Sequence, residues 1–167
     1  MLIALTGPTG SGKSTVAKAL CQKFDKCVRL DVDRVKHFVV SGFLYDESME
    51  GKKQWELCSK NVVDLAKNFY SEDYTVLIEG FFSKEEWEYV FAHLPETKPF
   101  LLLPNESVII KRDKSRDPKW AMGEVAVQEH LKEFENSFYD DFNQINSSDT
   151  TVDETVEMIC TYLYRVT

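Results

Sequence analysis

The 167-residue sequence lacks any apolar run of the roughly 20 residues that a membrane-spanning helix needs. Its apolar opening, Met1 to Leu5, has no basic stretch before it and is too short for a signal peptide. It also lacks a basic stripe, because the formal net charge is -8 and acidic residues interrupt the densest basic stretch, Lys111 to Lys119. These absences predict a cytoplasmic protein with no membrane partner. They also disfavour long nucleic acid as a partner, since binding to its backbone depends on clustered Lys and Arg.

No two cysteines are arranged as C-x-x-C, the spacing typical of zinc sites and redox motifs. The four cysteines are Cys21, Cys27, Cys58 and Cys160. We therefore expect buried, reduced thiols that pack as small apolar side chains.

Short apolar runs alternate with amphipathic segments along the whole chain. Strands are predicted over 1–6, 28–31, 74–79, 100–103 and 144–146. Helices are predicted over 13–24, 34–40 and 51–70, from Ser83, after Asn105, along 127–142 and after Thr151. The helices after Ser83 and Thr151 begin with capping boxes, completed by Glu86 and Glu154. The strands are continuous apolar runs, which predicts an α/β fold of three layers, with about five parallel strands covered on both faces by helices. The length and the absence of a linker predict a single domain, 1–167.

The first apolar run leads into Gly7-Pro-Thr-Gly-Ser-Gly-Lys13-Ser14, which fits G-x-x-x-x-G-K-[ST] without a departure. Glycines let such a loop fold into a nest whose N–H groups point at a phosphate, and the following helix N-terminus adds positive charge. Lys13 is expected to contact the β- and γ-phosphates, and the Ser14 hydroxyl to bind Mg²⁺. The motif therefore predicts a P-loop fold that binds a nucleoside triphosphate with Mg²⁺, and ATP is the expected nucleotide. The predicted nucleotide-binding residues are Gly7, Thr9, Gly10, Ser11, Gly12, Lys13, Ser14 and Thr15.

The segment Leu30-Asp-Val-Asp-Arg-Val-Lys-His37 comes at the end of the second predicted strand. It resembles the D-x-D-x-[VI]-R-[HK] segment of small-molecule P-loop kinases, most closely that of adenylylsulfate kinases. It is also similar to the D-x-D of shikimate kinases and to the acidic residue of chloramphenicol phosphotransferases and zeta-toxin kinases. The resemblance implies that Asp33 contacts the acceptor hydroxyl as base or orienter, and that Asp31 lies near the Mg²⁺ waters. It implies a substrate-binding role for Lys36, where the family usually has arginine. The alternative for Asp33 is a helix N-cap.

Arg112 and Arg116 resemble the R-x-x-x-R lid of nucleotide and shikimate kinases. The resemblance implies a catalytic lid over about 112–124 that closes over ATP, excludes water and brings guanidinium groups to the transferring phosphate. The alternative is a solvated basic helix end. Trp120, within the lid, is a candidate for substrate contact. His93 and His130 are predicted to be surface or packing residues.

Glu79 ends the third predicted strand, at a site that faces the acceptor or the Mg²⁺ waters in the kinases it resembles, and the resemblance implies substrate contact by Glu79. Phe81 and Phe82 follow at the carboxyl edge of the sheet, where ligands bind in open α/β folds. One of the two is expected to form a wall of the acceptor pocket, and Phe81 is the candidate for substrate contact.

These features predict an ATP-dependent phosphotransferase that moves the γ-phosphate to a hydroxyl of a small-molecule acceptor, as a monomer or homodimer. One alternative is a kinase acting on a nucleotide or a nucleic-acid end, whose anionic acceptor would require more Lys and Arg around the second and third helices. Another is a non-catalytic, regulatory ATP-binding module. A GTPase is disfavoured because the sequence has no N-K-x-D motif.

Overall fold

The structure is a computed structural model that describes residues 1–46, 48–119 and 121–164. The strands are β1 (Leu2–Thr6), β2 (Cys27–Asp31), β3 (Thr75–Glu79), β4 (Lys98–Leu102) and β5 (Asn143–Ile145). The helices are α1 (Lys13–Cys21), α2 (Val32–Lys36), α3 (Met49–Tyr70), α4 (Lys84–His93), α5 (Glu106–Lys114), α6 (Glu124–Lys132) and α7 (Val152–Leu163). Two short 3₁₀ helices, Glu133–Glu135 and Ser137–Asp141, precede β5.

The strands form one sheet in the order β2-β3-β1-β4-β5. The pairs β2–β3 and β4–β5 are parallel, with Asp31 opposite Glu79 and Leu102 opposite Ile145. Every residue of β1 is buried, and so are the last four of β3. Consecutive buried residues require cover on both faces, because neighbouring side chains of a strand point to opposite sides. The predicted parallel sheet with helices on both faces is therefore confirmed.

Helix starts follow the local capping chemistry. Both predicted capping boxes are confirmed, at Ser83 and Thr151. The N-cap of α2 is Asp31, whose side chain accepts a hydrogen bond from the backbone N–H of Arg34 at 3.2 Å. The alternative interpretation of Asp33 as an N-cap is therefore wrong, and its side chain remains available for other contacts.

The predicted helix along 127–142 is wrong beyond Lys132. Asn136 is extended, with φ -70° and ψ 134°, and its side chain accepts a hydrogen bond from the N–H of Phe138 at 2.9 Å. Such a local side-chain bond offers the backbone an alternative to the helical ladder. The spacing of Val127, Phe134 and Phe142 matched one side of a helix and these residues are buried, but two short 3₁₀ turns carry the chain from Glu133 to Asp141.

The chain divides into two compact units. The first unit contains Met1–Ala4 and Cys21–Lys98, and the second contains Leu5–Leu20 and the chain from Pro99 onward. Val62 of α3, Ile78 of β3 and Trp87 of α4 are fully buried in the first, and Ile109, Ile145 and Val156 in the second. The single domain predicted from length stays a prediction. None of the described helices is long and apolar enough to cross a membrane.

Candidate functional site

The phosphate-binding motif of the second unit forms the turn between β1 and α1. Gly7 has φ +150°, and a Cβ there would lie 2.3 Å from the carbonyl oxygen of Leu102. Gly10 has φ +84°, and a Cβ there would lie 3.1 Å from the carbonyl oxygen of Ile109. Only glycine fits these two positions, because the loop presses against the end of β4 and against α5 in backbone conformations that L side chains rarely adopt.

Lys13 is the first residue of α1, and its ammonium donates a hydrogen bond to the carbonyl oxygen of Pro8 at 3.1 Å. The ammonium therefore lies over the loop that is expected to hold phosphate. Ser14 and Thr15 are exposed on the first turn of α1. Ser11 is buried, and its hydroxyl has no hydrogen-bond partner among the described residues. The loop thus combines a point charge, an accessible hydroxyl and a hydroxyl with unused hydrogen-bonding capacity.

His130 of α6 contacts the phosphate-binding loop. The backbone N–H of Thr9 donates a hydrogen bond to the His130 Nδ1 atom at 3.3 Å. Burial of the ring, assisted by the charge of Lys13, lowers the pKa of His130 to about 4. The ring is therefore neutral near pH 7, which allows Nδ1 to accept. Sequence analysis missed this contact because no spacing or periodicity relates residue 130 to residue 9.

Arg112 joins three segments of the second unit. Its guanidinium donates hydrogen bonds to the carbonyl oxygens of Ser11 and Ser147, each at 3.0 Å. Arg116 is more exposed, and its Nη1 lies 3.7 Å from Asp113 Oδ1. The structure thus separates the two predicted lid arginines: one braces the phosphate-binding loop, and the other stands near the start of the 115–123 segment.

Asp113 anchors the predicted lid and was missed from the sequence. Its buried carboxylate accepts hydrogen bonds from the backbone N–H groups of Met122 and Gly123, at 2.9 to 3.1 Å. Lys114 also pairs with Glu124 at 2.8 Å. These contacts tie the two ends of the 115–123 segment together. Trp120 lies outside the described residues.

Three charged side chains form a cluster at the ends of β2 and β3 in the first unit. Arg29 Nη1 lies 3.0 Å from Glu79 Oε1, and Arg29 Nη2 lies 3.4 Å from Asp31 Oδ2. Glu79 is 2% exposed, so its charge requires this cation. Asp31 also pairs with Arg34 at 3.4 Å. Sequence analysis missed Arg29, although its position two residues before Asp31 places both on one face of β2.

Asp33 is exposed on α2 and accepts a hydrogen bond from the Tyr45 hydroxyl, with 3.0 Å between Tyr45 Oη and Asp33 Oδ1. Burial and the charge of Asp33 raise the pKa of Tyr45. The phenol therefore remains a proton donor at neutral pH. The hydrogen bond from Tyr45 shows that a hydroxyl group can reach the Asp33 carboxylate.

Lys36 is only 1% exposed, and its ammonium is enclosed by aromatic rings. The Nζ atom lies 3.5 Å from the ring centroid of Trp55, 4.6 Å from that of Tyr45 and 5.5 Å from that of Phe43. It has no hydrogen-bond partner among the described residues. Burial lowers the pKa of Lys36, while nearby acidic groups including Asp33 act in the opposite direction. Cation–π attraction accounts for the tolerance of this ammonium in an apolar setting.

The aromatic contacts continue from Trp55 to Phe82 and on to Trp87. The ring centroids are 6.2 Å and 5.3 Å apart, in edge-to-face geometry. Phe82 is buried and Phe81 is half-buried. Phe82 is therefore the member of the pair that continues the aromatic wall beside Lys36, and the substrate contact predicted for Phe81 stays a prediction.

The second unit also contains a cavity of about 470 Å³. It is lined by residues that follow β4, by the end of β5 and by the end of α6, including Asn105, Asn146 and Phe134. Its volume lies within the range of about 300–1,000 Å³ that is typical of small-molecule pockets.

A magnesium–nucleotide complex fits the residues of the phosphate-binding loop. Among the residues that the structure describes, no group of three or more His, Cys, Asp or Glu side chains is arranged to hold a metal ion. Magnesium bound with a nucleotide does not need such a group, because it retains waters and uses phosphate oxygens as ligands. The Ser14 hydroxyl, the predicted protein ligand, is exposed and accessible to such a complex.

The fold and this loop define a P-loop kinase fold, and comparisons with known proteins agree. The structure is similar to a sugar kinase from Janibacter sp. HTCC2649, with a TM-score of 0.73 and 14% identity over 96% of this chain and 92% of that one. It is similar to shikimate kinase from Acinetobacter baumannii, with a TM-score of 0.69 and 18% identity over 96% and 91% of the two chains. The Deinococcus radiodurans tunicamycin resistance protein gives a TM-score of 0.70 and 14% identity over 99% and 96%.

A family model described as an AAA domain matches residues 3–139, so the chain belongs to that family. No curated protein sequence matches it. The resemblance to small-molecule P-loop kinases seen in the sequence is confirmed.

Proposed function

We propose that the chain is an ATP-dependent phosphotransferase that transfers the γ-phosphate to a hydroxyl group of a small molecule. The observation that carries the proposal is the phosphate-binding loop, in which Lys13 lies over a glycine-shaped turn pressed against β4 and α5. The similarity of the fold to kinases of small molecules supports it.

The loop would bind the phosphates through its backbone N–H groups and the Lys13 ammonium. Ser14 would hold Mg²⁺, which neutralises charge on the phosphates when it is bound. On binding, the Lys13 ammonium would replace its hydrogen bond to the Pro8 carbonyl with bonds to phosphate oxygens. The Thr9 N–H would likewise replace its bond to His130 with a bond to a phosphate oxygen. Both are short local rearrangements.

The two lid arginines would have different roles. Arg112 is held by two carbonyl oxygens and would position the loop, while Arg116 is exposed and would reach the transferring phosphate on closure. A lid of this kind also excludes water, which otherwise competes with the acceptor.

The acidic side chains of the first unit would bind the acceptor. Asp33 would orient the acceptor hydroxyl and accept its proton as the new P–O bond forms, taking the place that the Tyr45 hydroxyl now occupies. Phe81 would contact the rest of the acceptor, and Lys36, which is enclosed by aromatic rings, would reach it only after those rings part. Glu79, held by Arg29, would keep Asp31 in place near the metal-bound waters.

The test is a screen of hydroxyl-bearing metabolites, nucleosides and antibiotics for stimulated release of ADP. We expect one class to raise ADP release above the rate with water alone, with a phosphorylated product of matching mass. Lys13→Ala is the matched control and should abolish the stimulation. Saturable binding of Mg-ATP with no acceptor-stimulated turnover across the screen would contradict the transferase proposal.

One observation favours the alternative of a regulatory ATP-binding module. The Tyr45 hydroxyl, which belongs to the same chain, donates a hydrogen bond to Asp33. Such a bond is expected if the site no longer binds an acceptor. Acceptor-stimulated turnover separates the two possibilities, and Tyr45→Phe, which removes the hydroxyl and retains the ring beside Lys36, measures whether Tyr45 competes with the acceptor. If the enzyme proposal holds, Tyr45→Phe lowers the KM for the acceptor or leaves it unchanged. A module without an acceptor shows no turnover in either protein.

A further inference from the structure

The thiols of Cys21 and Cys27 are in direct contact, although no C-x-x-C spacing relates them. Cys21 is the last residue of α1 and Cys27 is the first residue of β2. Their sulfur atoms are 2.7 Å apart, with the Cys27 thiol donating to the Cys21 sulfur. This separation is within about 0.7 Å of an S–S bond of about 2.05 Å, so a bond can form with little movement of the backbone.

The surroundings of the pair favour oxidation. Both residues are half-buried, so small oxidants can reach them. The hydrogen bond from Cys27 lowers the pKa of Cys21, and Arg29 adds to this effect, against an opposing contribution from burial. The same contact, with burial, raises the pKa of Cys27. The thiolate therefore forms more readily at Cys21 than at Cys27, the order expected of an attacking and a resolving cysteine.

We propose that Cys21 and Cys27 are a redox-sensitive modification site, at which a peroxide closes an intramolecular disulfide between α1 and β2. The proposal is independent of the proposed kinase activity.

The reaction balances with hydrogen peroxide as the oxidant. The Cys21 thiolate attacks one peroxide oxygen, an S–O bond forms, the O–O bond breaks, and the departing hydroxide takes up a proton to become water. The Cys27 sulfur then attacks the resulting Cys21 sulfenic acid. The S–S bond forms as the S–O bond breaks, and the hydroxyl leaves as a second water with the Cys27 proton. Two thiols lose two electrons, and one peroxide is reduced to two waters.

The other two cysteines provide internal references. Cys160 on α7 is half-buried, and Cys58 is buried, with its thiol directed to the Val32 carbonyl at 3.5 Å. Accessibility alone would therefore oxidise Cys160 as readily as Cys21. Faster oxidation of the Cys21 and Cys27 thiols than of the Cys160 thiol would therefore result from the contact between the two sulfur atoms.

The test treats the full chain with hydrogen peroxide, blocks the remaining thiols with N-ethylmaleimide and determines intact mass and non-reduced peptides. We expect two of the four thiols to be lost together, a linked peptide containing Cys21 and Cys27, and loss at least about tenfold faster than at Cys160. Cys160→Ser should keep the bridge. Cys27→Ser should leave a sulfenic acid on Cys21 that dimedone traps.

Three outcomes would overturn the proposal. They are oxidation of Cys160 at the same rate, a disulfide between two chains instead of within one, and equally fast bridging in urea-unfolded protein. The wild-type peptide map does not depend on any variant, so it remains decisive if a serine variant folds poorly.

Discussion

Replacing His130 by alanine should strengthen nucleotide binding. In the free protein the Thr9 N–H is bonded to the His130 ring, and this bond must break before the N–H can bind a phosphate oxygen. The contact from the Thr9 N–H to Nδ1 is 3.3 Å long. A typical hydrogen bond contributes about 1 kcal/mol net, so its removal should lower the dissociation constant of Mg-ATP roughly fivefold. His93→Ala, at an exposed position near the end of α4, is the matched control and should not change binding.

The same displacement should be visible as proton uptake. The pKa of His130 is about 4 in the free protein, against an ordinary value of 6.5. Because burial is the main cause of the low pKa, a ring that leaves its half-buried position regains the ordinary value. At pH 6, a nucleotide that displaces the ring in this way should bind with uptake of roughly 0.7 proton beyond that taken up by His130→Ala. Titration calorimetry in buffers of different ionisation enthalpy measures the number of protons taken up on binding. Equal proton uptake and equal affinity in the two proteins would refute the reasoning, since the nucleotide would then bind without moving the imidazole.

His130 should also affect stability. Because its folded pKa lies below its unfolded one, the unfolded chain binds more protons between about pH 4 and 6.5. The contribution of the neutral ring is therefore complete above about pH 6.5 and is lost as the pH falls towards 4. The slope is at most about 1.4 kcal/mol per pH unit, and solvent screening reduces it because the ring is only half-buried. Denaturant midpoints of the wild type and His130→Ala should converge at low pH.

Three further changes test other parts of the structure. Asp33→Asn should leave Mg-ATP affinity roughly intact and lower turnover by a factor of about 10²–10⁴, and equal loss of nucleotide binding would contradict its role towards the acceptor. Arg29→Met removes the cation facing buried Glu79 and should destabilise the fold by about 3 kcal/mol in urea unfolding, with a smaller loss when Glu79→Gln is added. Asp113→Ala removes the acceptor of two backbone N–H groups and should accelerate hydrogen exchange at Met122 and Gly123. Unchanged exchange would mean that the carboxylate does not anchor the predicted lid.

Local chemistry made much of the fold predictable from the sequence. The parallel sheet followed from continuous apolar runs, and two helix starts followed from capping boxes that need only Ser or Thr and a Glu three residues later. The stretch near Asn136 was mispredicted because apolar spacing reports which residues are buried and not whether the backbone between them stays helical.

The unpredicted parts of the candidate site are contacts between residues far apart in sequence. The loop motif specified its own glycines and Lys13, but the bond from Thr9 to His130 joins positions 121 residues apart. The enclosure of Lys36 likewise depends on Trp55, which follows it by 19 positions on another helix. Periodicity within one element carries no information about such pairs, which are determined by how elements pack.

Titration calorimetry of the wild type and Lys13→Ala with Mg-ATP tests the central claim most directly. If the turn after β1 is an anion-binding cradle, the wild type gives a saturable heat, and the variant loses most of its affinity because it lacks the ammonium that faces the β- and γ-phosphates. A wild type that gives no heat, or a variant that binds as tightly as the wild type, would contradict the account.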